Sequence, residues 1–265
     1  MPTPVFELDA VGFRRDGRDI LANVSWRVDP GSRWAVLGPN GCGKSTLLGL
    51  ATGSLWPTSG TIRREGAELV DLPALWRRIG MVNEFVAARV PDDEPVADTV
   101  LSGRFAQLGL TLFPGMDVTP DDRGHARRGL DCVGCGHLAD RPFGVLSQGE
   151  RRKVLIARAL AAEPACLVLD EPCAALDPGA RERFLGWLAD FLRRGTAPAV
   201  ILVTHHVEEI LPEFDRTLVL AAGRVLAAGP TAEVLTQRTF ETLYDTTLER
   251  LERVGGRCWP VWGRP

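Results

Sequence analysis

Lysine is scarce in this sequence: only Lys44 and Lys153 stand among its 31 basic residues. A long basic block is also lacking and the formal net charge is −3, so we expect no nucleic-acid-binding surface. No apolar run approaches the ~20 residues that span a bilayer. The first nine residues include acids but no basic residue, which is not typical of a secretory signal. These absences predict a soluble chain that would reach a membrane only through a partner.

Length and composition are those of an ordinary globular protein. At 265 residues, with 45% hydrophobic and 25% charged residues, the chain can bury one domain or two subdomains. The sequence shows no internal repeat, no low-complexity segment and no heptad array.

The six cysteines are scattered along the chain, and in a cytosolic protein we expect them to stay reduced. Cys132 and Cys135 form a C-x-x-C pair close to His125 and His137, which is one pattern of zinc ligands. A single pair without a second is a weak zinc signal, and small cysteines pack well in a helical stretch. Packing is the favoured interpretation and zinc is the alternative.

A glycine-rich segment follows a short apolar run at 34–37 and leads into an apolar helical pattern at 47–51. It fits G-x-x-x-x-G-K-[ST] and comprises Gly38, Pro39, Asn40, Gly41, Cys42, Gly43, Lys44, Ser45 and Thr46. Strand, glycine loop and helix in this order are the context of a phosphate-binding loop. Phosphate oxygens must meet several backbone N–H groups at once, and glycine leaves that approach open. The following helix adds N–H groups and a dipole that favour an anion.

Two side chains of this loop have roles that follow from their chemistry. Lys44 supplies a compact positive charge for the outer phosphates, and Ser45 supplies a hydroxyl ligand for magnesium. An ordinary glycine-rich turn is the alternative interpretation. The scarcity of lysine argues against it, because a lysine is kept where a point charge fits better than the planar fork of arginine.

Hydrophobic periodicity predicts strands and helices along the rest of the chain. The predicted strands cover 5–8, 23–28, 60–63, 78–82, 166–169 and 199–203, with a hairpin over 217–226. A mainly helical pattern at about 96–139 is broken at Pro114-Gly115 and at Pro120. Further helices are predicted over 151–160 and 181–192, and two short helical stretches in the tail.

The predicted strand at 166–169 ends in Asp170 and Glu171. In a nucleotide hydrolase, one carboxylate at such a place holds magnesium and the other polarises the attacking water. A strand capped by surface acids is the alternative. The phosphate loop upstream makes that alternative the weaker one.

The order of these motifs resembles that of the ATP-binding cassette (ABC) ATPases over nearly the whole chain. Gly38–Ser45 matches Walker A, and Leu167–Glu171 matches Walker B. Leu146–Glu150 resembles the L-S-G-G-Q signature, Ala175–Asp177 the D-loop, and Thr204-His205 the switch histidine. The resemblance implies an α/β fold: a P-loop NTPase core with a parallel sheet, an N-terminal antiparallel β subdomain and an inserted helical subdomain.

A single ABC ATPase domain is then expected over 1–265. The nucleotide-binding core would cover 1–84 and 156–240, the helical subdomain with the signature 85–155, and a C-terminal tail 241–265.

The resemblance also implies a chemistry, with ATP and Mg²⁺ as cofactors. Lys44 would act on the phosphates, and Ser45 and Asp170 would hold the magnesium ion. Glu171 would be the general base or the carboxylate that orients water. His205 would reach the γ-phosphate.

As partners, the resemblance implies a second copy of the chain and an integral membrane permease. In a head-to-tail dimer, Ser147 and Gly149 would contact the nucleotide bound by the other copy, and Asp177 would link the two sites. ATP-driven dimerisation would energise transport from the cytoplasmic, inner face of the membrane. The alternative is a soluble ABC ATPase with a regulatory or remodelling role and no transport partner.

Several positions depart from the family's pattern. Glu84 stands where the family has a glutamine near the magnesium ion. Its charge would be accommodated by protonation, by magnesium ligation, or by a shifted loop in which Glu84 points to solvent or towards the membrane partner. Our hypothesis is that Glu84 lies in the site and does the work of glutamine less well.

Arg15 falls near the position of the usual adenine-stacking aromatic, and arginine stacks on bases too. The signature has Gln148 and Glu150 in place of glycine and glutamine.

Cys42 is the cysteine of the phosphate loop. Because a helix N-terminus in an anion-binding loop stabilises a thiolate, we expect Cys42 to be the most reactive thiol of the chain. The alternative is that cysteine is merely a small residue tolerated there.

Overall fold

The computed structural model of the protein describes residues 2–195 and 197–263. Its strands are β1 (Phe6–Arg15), β2 (Arg18–Val28), β3 (Arg33–Leu37), β4 (Ser59–Arg64), β5 (Ile79–Val82), β6 (Cys166–Asp170), β7 (Ala199–Thr204), β8 (Arg216–Ala221), β9 (Arg224–Pro230), β10 (Leu248–Val254) and β11 (Arg257–Trp262). Its helices are α1 (Lys44–Ala51), α2 (Leu72–Arg78), α3 (Glu84–Ala87), α4 (Val96–Ser102), α5 (Pro120–Cys132), α6 (Gln148–Ala161), α7 (Pro178–Arg193), α8 (Thr231–Val234) and α9 (Gln237–Tyr244). Single turns of 3-10 helix cover Gly103–Phe105, Gly136–Leu138, Phe143–Val145 and Val207–Glu209.

The contacts of the described residues form two compact units. The first unit comprises the residues up to Val70 and those from Ala199 onwards, and the second spans Asp71–Pro198. The division into a core, an 85–155 subdomain and a 241–265 tail is a different partition and stays a prediction.

The described residues of the first unit form strands of three sheets, the smallest being the antiparallel pair β10–β11. Strand β3 pairs in parallel with β7 on one side and with β8 on the other, and β9 adds to β8 in the antiparallel sense. All six residues of β7 are buried, as expected for a parallel strand covered on both faces. The second sheet is antiparallel, with the strand order β2-β1-β4. The α/β class and the antiparallel N-terminal strands are therefore confirmed.

Aromatic side chains and one buried arginine organise the core of the first unit. The Trp26 ring lies edge-on to Phe6 at 5.0 Å and to Trp34 at 5.8 Å between ring centroids. Arg64, at the end of β4, is 1% exposed. Its guanidinium donates from Nε to the Ala51 carbonyl at 2.9 Å and from Nη2 to the Leu50 carbonyl. These oxygens are among the last carbonyls of α1, which have no partner within the helix.

The second unit pairs β5 with β6 in parallel and packs α4, α5 and α6 together. Arg158 of α6 is buried, and it donates to the Ser102 hydroxyl at 3.2 Å and to the Gln107 carbonyl. Burial lowers the pKa of Arg158 to about 10. Pro120 was expected to break a helical pattern, and it is the first residue of α5, where a missing N–H has no helical partner to lose.

The chain that follows the predicted hairpin at 217–226 differs in part from the expectation. Two short helices are present as α8 and α9, but β10 and β11 form an antiparallel hairpin that the sequence did not indicate. Leu248, Leu251 and Val254 are spaced three apart, which is a helical spacing. The pairing of β10 with β11 overrides that local pattern.

Within the part of the chain that the structure describes, every helix is too short or too polar to cross a lipid bilayer.

We predict that Arg64→Met lowers the free energy of unfolding by about 1–3 kcal/mol, because it removes the side-chain donor of the buried Ala51 carbonyl and one of the donors of the Leu50 carbonyl. Urea denaturation measures the change. Arg63→Met is the matched control: Arg63 is the preceding residue of β4, its side chain is 43% exposed, and it pairs with Glu68 at 3.1 Å. An exposed pair contributes about 1 kcal/mol or less. Equal losses in the two variants would contradict the role of Arg64.

Candidate functional site

The phosphate loop joins β3 to α1 and ends at Gly43, the N-cap residue of α1. Gly43 has φ 109°, and no side chain caps α1 among the described residues. This dihedral favours glycine, and a Cβ here would also lie 2.7 Å from Leu21 Cδ2, so that the leucine side chain would have to shift. The first-turn N–H groups of α1 are thus left for an anion rather than for a capping side chain.

Lys44 is the first residue of α1 and is 7% exposed. Its Nζ donates to the Gly38 carbonyl at 2.8 Å and to the Pro39 carbonyl at 3.2 Å. The ammonium group is therefore folded over its own loop. The loop is also held from the turn between β8 and β9, since the Gly223 N–H donates to the Cys42 carbonyl at 3.0 Å.

The environment of Cys42 does not favour the expected reactivity, which stays a prediction. Its thiol is 5% exposed, and burial raises the pKa of Cys42, while the positive charge of Lys44 opposes that rise. A buried thiol with a raised pKa is a poor nucleophile. Burial likewise raises the pKa of Cys132 and Cys135, and the described residues include no cluster of three or more His, Cys, Asp or Glu suited to a metal ion.

The other residues predicted in the first unit lie at the ends of elements. Ser45 is exposed in the first turn of α1, and Thr46 beside it is half-buried. Arg15 is exposed and ends β1, opposite Arg18 of β2. His205 directly follows β7, with its ring 4.1 Å from that of His206 between centroids. The Tyr244 hydroxyl donates to the His205 carbonyl at 3.2 Å.

In the second unit, Asp170 is the last residue of β6, and both Asp170 and Glu171 are half-buried. Glu171 has φ 50°. This left-handed backbone is uncommon for a residue other than glycine, and it costs of order 1 kcal/mol. Strain of this kind persists where the surrounding structure fixes a residue, and it is frequent at catalytic positions.

The signature motif begins α6. Ser147 is the N-cap residue: its hydroxyl accepts from the Glu150 N–H at 3.4 Å and donates to the Glu150 carboxylate at 2.6 Å, which also accepts from the Ser147 N–H at 2.8 Å. These hydrogen bonds hold the pKa of Glu150 below its usual value. The pattern is a capping box, and either glutamate or glutamine completes it. The substitution of Glu150 for the family's glutamine therefore preserves the start of α6.

Asp177 is the N-cap residue of α7 and accepts from the Ala180 N–H at 2.8 Å. The structure brings Asp177 together with Ser147 and Gly149 in one surface depression of about 380 Å³. It is lined by Ser147, Gln148, Gly149, Glu150, Lys153, Ala175, Leu176, Asp177, Ala180, Arg183 and Phe184. The signature and the D-loop of one chain thus share one face of the second unit.

Glu84 is the first residue of α3, and its carboxylate lies 2.9 Å from Nη2 of Arg152. The Arg152 side chain is 4% exposed and that of Glu84 is 80% exposed. Arg152 is a residue that sequence reasoning missed, because no local signal relates it to Glu84. Its counter-charge differs from the proton and the magnesium ion considered from the sequence, and the exposure of Glu84 agrees with the third alternative, a side chain that points to solvent.

Comparison with known proteins identifies the family. The family model described as ABC transporter matches residues 21–174. This chain belongs to the ABC transporter family. The expected family, the P-loop NTPase fold and ATP as the nucleotide are thereby confirmed.

Relatives of this family member align along most of its length. The uncharacterized ABC transporter ATP-binding protein YlmA of Bacillus subtilis is 36% identical over 250 residues, covering 93% of each chain. The hemin import ATP-binding protein HmuV of Rhodococcus jostii is 33% identical, over 92% of this chain and 81% of HmuV. The structure of cbiO1 from Clostridium perfringens, part of the ABC transporter complex cbiONQ, matches with a TM-score of 0.76 and 27% identity, over 91% of this chain and 94% of that one.

We predict that Glu84→Gln keeps or raises the ATPase rate and that its effect is not additive with that of Arg152→Gln, because the two side chains share one ion pair. Steady-state rates of both single variants and of the double variant measure this. Urea denaturation of the same set should give a coupling energy of about 0.5–1 kcal/mol, since Glu84 is largely exposed.

A magnesium titration separates the ion pair from metal ligation. If Glu84 binds magnesium, Glu84→Gln raises the Mg²⁺ concentration needed for half-maximal activity and Arg152→Gln does not. A fall of more than about tenfold in the rate of Glu84→Gln alone, roughly 1.4 kcal/mol of barrier, would contradict the ion-pair interpretation.

Proposed function

We propose that this chain hydrolyses ATP to energise a membrane transporter, working as a dimer with an integral membrane permease. The observation that carries the proposal is the phosphate loop, with the N-terminus of α1 left uncapped and Lys44 folded over it. The relatives support the transport role: HmuV is named for hemin import, and cbiO1 is part of a transporter complex. We place the chain at the cytoplasmic face of the membrane, through its partner, and expect no nucleic-acid partner.

The loop provides the binding half of this function. Backbone N–H groups from Gly41 to Thr46 would surround the β- and γ-phosphate oxygens, and Lys44 would move from its own carbonyls to the phosphates. The backbone of the loop is formed by the glycines at 38, 41 and 43 together with Pro39, Asn40 and Cys42. Arg15, exposed at the end of β1, would stack on the adenine.

Magnesium fits the oxygen donors that the chain offers. The Ser45 hydroxyl is exposed in the first turn of α1, and the Asp170 carboxylate ends β6. Hydroxyl and carboxylate oxygens are the ligands that Mg²⁺ prefers in proteins. When bound, the ion would neutralise the charge of the phosphate oxygens. Glu84 belongs to this set only if it leaves Arg152.

Two residues would act on the attacking water and the γ-phosphate. Glu171 directly follows Asp170, the last residue of β6. Because its backbone is left-handed, its side chain leaves the chain in a direction different from that in a continuing strand. We assign it to the attacking water, as general base or as the group that orients it. His205 would donate to the γ-phosphate, where charge develops during transfer.

The second copy would complete each site. Ser147 and Gly149 line one depression with Asp177, and we propose that this face meets the nucleotide bound by the partner. The N-terminus of α6 would direct its dipole to the γ-phosphate. Asp177 would transmit the state of one site to the other.

We predict that Lys44→Ala lowers kcat by at least 100-fold, about 2.7 kcal/mol of barrier, while the far-ultraviolet circular dichroism stays unchanged. Lys44→Arg keeps the charge, and we expect it to fail as well, because a planar fork does not fit the place of a point charge. Near-normal turnover in a folded Lys44→Ala protein would reject the assignment.

We predict that Glu171→Gln binds ATP, hydrolyses it at least tenfold more slowly and accumulates an ATP-bound dimer. Removing the carboxylate removes the group that acts on water but not the groups that bind phosphate. Size-exclusion chromatography with and without ATP measures the dimer. Asp190→Asn is the control, because Asp190 is an exposed carboxylate of α7. A monomeric Glu171→Gln protein with wild-type turnover would reject both the role and the dimer.

A further inference from the structure

Two hydrogen bonds of the buried Thr204 hydroxyl order the loop that carries His205. The Thr204 hydroxyl donates to the Glu209 carboxylate at 2.6 Å and accepts from the His206 N–H at 3.0 Å. Thr204 is fully buried and Glu209 is 2% exposed. These bonds fix the start and the end of the segment 204–209. The carbonyls of His206 and Val207 accept from the N–H groups of Glu209 and Ile210, whereas those of His205 and Glu208 have partners outside the segment.

Two side chains from the C-terminal part of the chain bind those carbonyls. The hydroxyl of Tyr244, the last residue of α9, donates to the His205 carbonyl at 3.2 Å. Nε of Arg257, the first residue of β11, donates to the Glu208 carbonyl at 2.5 Å. Both contacts are made to main-chain atoms, so they constrain the peptide planes of the loop rather than compete for the His205 ring.

Tyr244 is itself held in place. Its ring lies edge-on to that of Trp262, with centroids 5.2 Å apart and planes at 82°. Burial, with smaller contributions from the charges of Glu208 and Cys42, raises the pKa of Tyr244 to about 12. The phenol therefore stays protonated and keeps its donor throughout the physiological range of pH.

We propose that Tyr244 is a positioning residue for His205, and that α9, with the hairpin residue Trp262 packed against Tyr244, thereby influences the rate of hydrolysis. A histidine that acts on a reacting phosphate must be held in a narrow range of position and orientation, and a small misplacement lowers the rate without weakening substrate binding. This inference rests on the proposed function, since it assigns a determinant of that same ATPase activity.

Tyr244→Phe tests the proposal, because it removes the hydroxyl and keeps the ring against Trp262. We expect kcat for ATP to fall about five- to tenfold while KM stays within twofold. In a His205→Ala background the same substitution should have no further effect, as measured by single-turnover hydrolysis. Arg250→Gln is the control: Arg250 lies in β10 of the hairpin that carries Trp262, pairs with Glu252 at 2.6 Å and has a 60% exposed side chain.

Hydrogen exchange provides a readout that does not depend on activity. Tyr244→Phe should raise deuterium uptake in a peptide covering 204–209, and Arg250→Gln should not. An unchanged uptake, or an equal loss of kcat with and without His205, would overturn the positioning role while Lys44→Ala still abolishes activity. Wild-type protein without any ATPase activity would instead overturn the proposed function and this inference together.

Discussion

The two ends of α1 differ in their hydrogen bonding to side chains: the N-terminus has no side-chain cap among the described residues, and the C-terminus is bound by a buried arginine. The phosphate loop depends on that difference. At the N-terminus, Gly43 takes a left-handed backbone, and the first-turn N–H groups have no side-chain cap among the described residues. At the C-terminus, the buried guanidinium of Arg64 binds the carbonyls of Leu50 and Ala51. A helix of eight residues is marginal by itself, so the contacts of Arg64 at the C-terminus also help to keep the uncapped N-terminus helical.

Helix caps are the corresponding constraint in the second unit. The resemblance assigns a nucleotide contact to Ser147 and a link between the two sites to Asp177, and these are the N-cap residues of α6 and α7. A capping side chain has a fixed rotamer and lies beside the helix N-terminus, so one residue both begins the helix and presents an oriented polar group. Glu150 adds a negative charge to the capping box. The hydrogen bonds from Ser147 hold that charge to the cap, beside the N-terminus of α6.

The features that were predictable from sequence are those encoded locally. The phosphate loop is one contiguous motif, and the buried strands are apolar runs with clear boundaries, so pattern and chemistry coincide there. Three features depend on residues distant in sequence and were missed or misjudged. Arg152 is 68 positions from Glu84, the thiol of Cys42 is buried by packing, and the β10–β11 pairing overrides a helical spacing in β10. None of these leaves a signal in a short window of sequence.

Tyr244 is the only tyrosine in the sequence, so a label that replaces tyrosine would report on this position alone. Biosynthetic incorporation of fluorotyrosine would introduce one kind of fluorine label, next to the carbonyl of His205 and the ring of Trp262. The fluorine-19 spectrum would then have one protein resonance per conformation of this region, without an engineered attachment site. Tyr244 therefore provides a single labelling site at the end of α9, in contact with the segment that follows β7.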